Sequence, residues 1–381
     1  MSKHLLLFVA LSICLGCKAD APQNNGPEKC WPSPDKPGVQ ICERASPVEI
    51  FAPPPGRPVI NPRVLQRFEP LRNDFYEKKP ASTAMVDLGR TLFYDERLSK
   101  NGTMSCNTCH PLDKYGTTTD VTPLGVNGKR VARNAPSVFN AAGQFAQFWD
   151  GRSRNVEEQA MMPLLNPLEM AATPNSVLAT LNSIDGYHAL FKAAFPRDPK
   201  PVSLKNIGTA IGAFERGLST PSRWDRFLRG NDTSLSDKEK EGLRVFTSVG
   251  CMVCHTGELV GGTMYEKLGA AVAWTDGNDH GRGDITHNPA DDMMFKVPSL
   301  RNVQRTAPYF HDGSAKTLDE AVKLMATYQT GQPLTDSELG LVVAFLGSLT
   351  GELPAKYIQP PILPGKHIAA APVPQSERGT P

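Results

Sequence analysis

Two short stretches of the chain carry the same reactive pattern. Residues 103–110 read TMSCNTCH and residues 250–255 read GCMVCH. Each sets two thiols two residues apart and follows them directly with a histidine. Paired thiols at this spacing can add across the two vinyl groups of one haem, and the histidine can then ligate its iron. A thioredoxin-like redox pair would need a βαβ context, which the flanking sequence lacks. A zinc site would need a second Cys/His pair close by in sequence, also lacking. The reading is therefore two covalently bound c-type haems, one on Cys106, Cys109 and His110 and one on Cys251, Cys254 and His255. If both irons are six-coordinate, the chain is an electron carrier. If one keeps an open or releasable position, it is an enzyme.

The elements that must position these motifs are helical. Ser203 opens a stretch with Ile207, Ile211, Phe214 and Leu218 on one face. Thr173-Pro174 opens another, with Val177, Leu178 and Leu181 inside it. Ser236/Glu239, Thr317/Glu320 and Thr335/Glu338 have the spacing of capping boxes, and the last leads through Phe345 and Leu349 to Gly351. No set of alternating strands stands out. The expected class is all-α, with two cytochrome c-type haem domains and long loops. Regular structure should begin near Met85–Gly89.

The chain has 381 residues, 40% hydrophobic and 21% charged, which suits two soluble domains. A net charge of +2 lacks the basic excess of a nucleic-acid binder, so no nucleic-acid partner is expected. Residues 1–17 combine a lysine, a short apolar run and Leu15-Gly16-Cys17. They read as a lipoprotein-type signal with Cys17 as the lipidated residue, against a plain secretory signal as the alternative. Residues 18–80 read as a Pro-rich tether, in which Cys30 and Cys42 would pair as a disulfide outside the cytosol. The expected haem domains are 81–218 and 219–355, followed by a tail at 356–381. The expected location is periplasmic, lipid-anchored to the outer rather than the inner membrane.

A longer set of motifs carries a family resemblance. LGRTLFYDERLSKNGTMSCNTCH, RNAPSVFNA, FAQFWDGR, EQAMMPLLNPLEM, FKVPSLRNV and TAPYFHDGSAKTLDEAV together resemble the bacterial di-haem cytochrome c peroxidases. The match runs from about Leu88 to Gly351. The di-haem enzymes that modify tryptophans in methylamine metabolism share much of it. The resemblance implies that the N-terminal haem reduces hydrogen peroxide and that the C-terminal haem relays electrons from a small donor, a cytochrome c or a cupredoxin. It implies Glu169 as the distal acid-base group, with Gln159 and Pro163 as the other distal-pocket residues. It implies Trp149 as the aromatic bridge between haems, and Met325 as the ligand opposite His255. Met325 follows His311 by fourteen residues. A thioether there raises the potential of the iron. Where the tryptophan-modifying relatives hold a tyrosine, this chain holds Met325. The resemblance also implies a Ca²⁺ ion held by Asn134, Thr306 and Pro308, of a kind suited to amide and backbone oxygens, and a homodimer.

One position departs from the pattern. Many family members carry a histidine eight residues before the Asn of RNAP, where this chain has Val126. No histidine lies between His110 and His188, so a shift of register does not restore one. Tyr115 is the nearby alternative with a ligating atom. The expectation is an N-terminal iron open or water-bound at rest, with no need for reductive gating. The reading is a di-haem peroxidase. A related oxidase acting on a protein or small organic substrate is the first alternative, and a non-catalytic electron-transfer cytochrome the second.

Overall fold

The computed structural model describes residues 28–32, 40–44, 60–77, 79–274 and 278–365. The expected signal at 1–17, with Cys17 as its expected lipidated residue, and the end of the tail lie outside these. The chain divides into two units, Met1–Gly56 and Arg57–Pro381. In the first, strands Glu28–Pro32 and Gln40–Arg44 form an antiparallel hairpin whose backbone register sets Cys30 opposite Cys42. The side chains of that pair are outside the described residues.

The second unit is mostly helical with little sheet. Its architecture rests on two helix crossings, each made close by a glycine. The Thr83–Tyr94 helix packs on the Leu204–Glu215 helix through Gly89, where a Cβ would sit 1.8 Å from the Ala210 carbonyl oxygen. The Asp237–Ser248 helix packs on the Asp336–Ser348 helix through Gly242, where a Cβ would sit 2.0 Å from the Leu341 oxygen. Any larger residue at either position would push the helices apart. One apolar cluster forms around the first crossing, with Leu92, Phe93, Ile207 and Phe214 fully buried, and another around the second, with Trp224, Leu243 and Phe345. Burying such side chains contributes about 1.5–3 kcal/mol each.

The boxes at Ser236/Glu239 and Thr335/Glu338 close as expected. Thr317 caps Glu320 N–H, but the Glu320 carboxylate accepts from Lys316 N–H at 2.8 Å instead of closing the box. Leu218 is buried but lies beyond the end of its helix.

Three features differ from the sequence expectation. Order begins before Met85: Phe68, Leu71 and Phe75 are buried although only Pro62–Leu65 is helical, because aromatic and leucine side chains anchor an irregular segment that has no period to read. Leu71 N–H is held by the Asp225 carboxylate at 2.6 Å. Order also continues into the expected tail, with Ile358 and Leu363 buried and Tyr357 Oη donating to the Phe214 carbonyl at 2.7 Å. Finally, Tyr265–Lys267 and Met294–Lys296 form a small antiparallel pair, too short to show an alternating pattern. Among the described residues no helix is long and apolar enough to cross a membrane.

Candidate functional site

Each Cys-x-x-Cys-His stretch is shaped by its backbone before its side chains act. Cys106–Cys109 is a single helical turn, closed at its start by a reciprocal Ser105/Thr108 box. His110 follows as its cap, N–H to the Cys106 carbonyl at 2.9 Å. The chain then reverses through Tyr115 (φ 59°) and Gly116 (φ 68°), which brings the Gly116 carbonyl to 3.0 Å from His110 Nδ1. The second stretch repeats this design. Gly250 (φ 89°) starts the turn, His255 N–H reaches the Cys251 carbonyl at 3.0 Å, and His255 Nδ1 lies 3.2 Å from the Val260 carbonyl. A carbonyl at Nδ1 requires the proton there, which leaves Nε2 with its lone pair as an iron ligand. Burial holds His110 below the ordinary imidazole range and pushes His255 down to about 4, so both rings are neutral. Burial also pushes Cys109 up to about 11 and Cys251 up to about 12. Thiols of that kind fit thioether attachment and not a low-pKa redox pair. The fit to two haems therefore rests on both the donors and their tautomer.

A cavity of 710 Å³ opens at the first motif. Cys106, Cys109 and His110 line it, and so do Gln159, Pro163, Glu169, Trp149 and Asn134. The Val156–Leu165 helix sets Gln159 and Pro163 one turn apart on one face. Pro163 has no N–H, so it makes no helical bond to the Gln159 carbonyl. Glu169 follows on the next turn, its Oε1 accepting from Asn166 Nδ2 at 2.7 Å. Burial raises the Glu169 carboxyl above its usual range, and the Asn166 bond and Arg152 only partly offset this. A carboxyl so placed keeps its proton to higher pH than an exposed one.

Trp149 Nε1 donates to the Asn134 carbonyl at 2.9 Å, and its ring lies edge-on to His311 at 6.5 Å between centroids. Asn134 N–H donates to the His311 carbonyl at 2.7 Å. Asn134 Nδ2 is spent on the Val121 carbonyl at 3.1 Å, which leaves Oδ1 as an acceptor. Among the described residues no donor reaches the carbonyls of Thr306 or Pro308. These oxygens are of the kind a Ca²⁺ ion takes.

His255 and Met325 do not line the cavity. Met325 is half-buried at the point where the Leu318–Leu324 helix widens into a π-helical turn through Gln329. Such widenings concentrate at functional sites. Val126 also lies off the cavity wall. Its side chain packs on the first apolar cluster and its N–H bonds the Glu169 carbonyl at 2.8 Å. Its neighbours Leu124 and Gly125 do line the cavity, and Gly125 touches the Leu168 carbonyl so closely that no Cβ fits. Tyr115 Oη donates to the Gly351 carbonyl at 3.1 Å, so its hydroxyl is turned to backbone.

Two buried cavity residues, Glu215 and Lys296, were given no role by the motifs, although FKVPSLRNV contains Lys296. Glu215 is 4% exposed, and burial beside Glu157 pushes its carboxyl up to about 8, against the pull of Arg216. Its signal was available, since it falls one turn after Ile211 on the apolar face of its helix. Lys296 is equally buried, and Asp150 stands near its ammonium.

Comparison with known proteins agrees with this geometry. A family model described as di-haem cytochrome c peroxidase matches residues 83–233. The cytochrome c551 peroxidase of Nitrosomonas europaea is 42% identical over 287 residues, covering 75% of this chain and 85% of the relative. The methylamine utilization protein MauG of Methylophilus methylotrophus is 33% identical, covering 75% and 87%. Among solved structures, a MauG-like protein associated with microbial copper homeostasis superposes with a TM-score of 0.68 at 30% identity, covering 77% of this chain and 96% of that one. The chain belongs to the di-haem cytochrome c peroxidase family, whose members are enzymes.

Proposed function

We propose that the chain reduces hydrogen peroxide, H₂O₂ + 2 H⁺ + 2 e⁻ → 2 H₂O, with electrons from a small periplasmic donor protein, a cytochrome c or a cupredoxin. The observation that carries this is Glu169, with its raised carboxyl, set beside Gln159 in the cavity that His110 lines. Cys106, Cys109 and His110 would hold one haem, and Cys251, Cys254, His255 and Met325 the other. Bound haem iron supplies the redox equivalents that cleave the O–O bond. Glu169 takes the proton from the nearer peroxide oxygen and returns it to the leaving one. The Gln159 amide orients peroxide, and Pro163 keeps bulky ligands out. Trp149, edge-on to His311, passes electrons between the two halves.

Asn134, Thr306 and Pro308 would hold Ca²⁺. The assignment of residues 81–218 and 219–355 as two haem domains, the Cys30–Cys42 disulfide, a lipid at Cys17, an outer-membrane location and a homodimer belong to the same proposal. Val126 supports a second reading, in which a protein or small organic molecule is oxidised instead, as its lack of a ligating atom leaves the His110 iron without a histidine gate. Met325 favours peroxide reduction.

The test is the visible spectrum of the fully ferric protein before and after one equivalent of hydrogen peroxide. A high-spin component that converts at once, and returns when reduced donor is added, is the expected result. A low-spin spectrum inert to peroxide would leave only electron transfer. Conversion with no response to any donor would favour the oxidase.

A further inference from the structure

The cavity lies where two copies of one structural pattern meet. Pro136-Ser137-x-x-Asn140 and Phe148-x-Asp150-Gly151 recur at a constant offset as Pro298-Ser299-x-x-Asn302 and Phe310-x-Asp312-Gly313. Their backbones agree in an unusual region. Asn140 and Asn302 have φ of 61° and 62°, Phe148 and Phe310 have 67° and 69°, and Gly151 and Gly313 have 68° and 67°. A phenylalanine at positive φ is rare, and two at matched places mark one design used twice. The bridges Gln147–Ser153 and Tyr309–Ala315 match at the same offset.

The copies also face each other reciprocally. Asn134 N–H bonds the His311 carbonyl at 2.7 Å, and Lys296 N–H bonds the Trp149 carbonyl at 2.7 Å. At the common offset Asn134 corresponds to Lys296 and Trp149 to His311. The two bonds are thus one contact seen from both sides of a local twofold. Under the same relation the residues assigned to calcium, Asn134, Thr306 and Pro308, correspond to Lys296, Gln144 and Ala146. In that second copy a cation is already present, since Lys296 Nζ donates to Gln144 Oε1.

We propose that Lys296 is the built-in cation of a second copy of the calcium site. The inference rests on the calcium reading of the first copy. The lysine is 4% exposed, and burial lowers its pKa to about 8, so it carries its charge at pH 7. Asp150, next to Trp149, is its nearby anion and also pairs with Arg133 and Arg152. A tethered ammonium repels a divalent ion from the same pocket. The second copy would therefore need no metal, and the chain would bind one calcium where the pattern offers two.

The test is calcium calorimetry on the haem-loaded full chain, with thermal midpoints in chelator and in saturating calcium. The wild type should bind one calcium. Lys296→Asn, which places at this position the residue its counterpart has, should bind two. Its midpoint should drop in chelator and recover in calcium. Lys296→Met should drop similarly in chelator, still bind one calcium and recover no more than the wild type gains. One calcium for both wild type and Lys296→Asn, with equal midpoints in chelator, overturns the inference and leaves the calcium reading standing. No calcium bound by the wild type overturns the calcium reading and this inference with it.

Discussion

Replacing Glu215 by glutamine should change how stability depends on pH. The carboxyl is 4% exposed and its pKa is pushed from 4.5 up to about 8, chiefly by burial. The folded state therefore keeps a proton that the unfolded chain releases above pH 4.5. A folded pKa raised in this way contributes stability that is full below 4.5 and is lost as pH rises towards 8. At about 1.4 kcal/mol per pH unit, this group costs the folded state about 3 kcal/mol by pH 7 relative to acid. The amide in Glu215→Gln does not ionise, so that slope should vanish. Urea unfolding of the haem-loaded protein at pH 5, 6 and 7 would measure it. The advantage of the variant over wild type should widen by about 2–3 kcal/mol across that range. Parallel pH profiles would refute the reasoning, because they would mean that Glu215 is already ionised in the fold.

Glu169→Gln should lower peroxide turnover by roughly 10²–10⁴-fold with little change in the resting haem spectrum. Turnover within a factor of three of wild type would remove Glu169 from the proton chemistry. Val126→His should give a low-spin N-terminal haem, and an unchanged spectrum would refute the placement of this loop as the gate position. Asp225→Ala should cost about 3–5 kcal/mol in urea unfolding. The carboxylate meets Arg301 at 2.8 Å, both side chains are fully buried, and the change leaves the guanidinium without its anion. A loss under about 1 kcal/mol would mean that water reaches Arg301.

The parts of this molecule that were legible in sequence are those with local rules. The haem motifs are contiguous, and their histidines take the ligating tautomer because the next few residues turn a carbonyl back onto Nδ1. Ser236, Thr335 and Ser203 start helices where their side chains can accept from the first turn. What was not legible depends on partners far along the chain. Phe68 is buried by the second apolar cluster, over 150 residues away, and Ile358 by the first. Neither segment has a period of its own. Thr317 and Glu320 have the spacing of a box, yet Lys316 N–H competes for the same carboxylate.

The repeated pattern lies between these cases. Its residues are visible in sequence, but their meaning is not, because Pro, Ser, Asn and Gly are also ordinary loop residues. The fold gives them meaning by facing the copies across the Trp149–His311 contact. The same backbone pattern serves both halves, and a few side chains differ between them. One copy has Trp149 and Asn134 where the other has His311 and Lys296. These differences leave the reciprocal backbone bonds intact at 2.7 Å, so the frame is shared. An electron-transfer path needs fixed distances above all. A frame held by main-chain bonds, in which only side chains differ, lets two chemically unlike halves remain in fixed register.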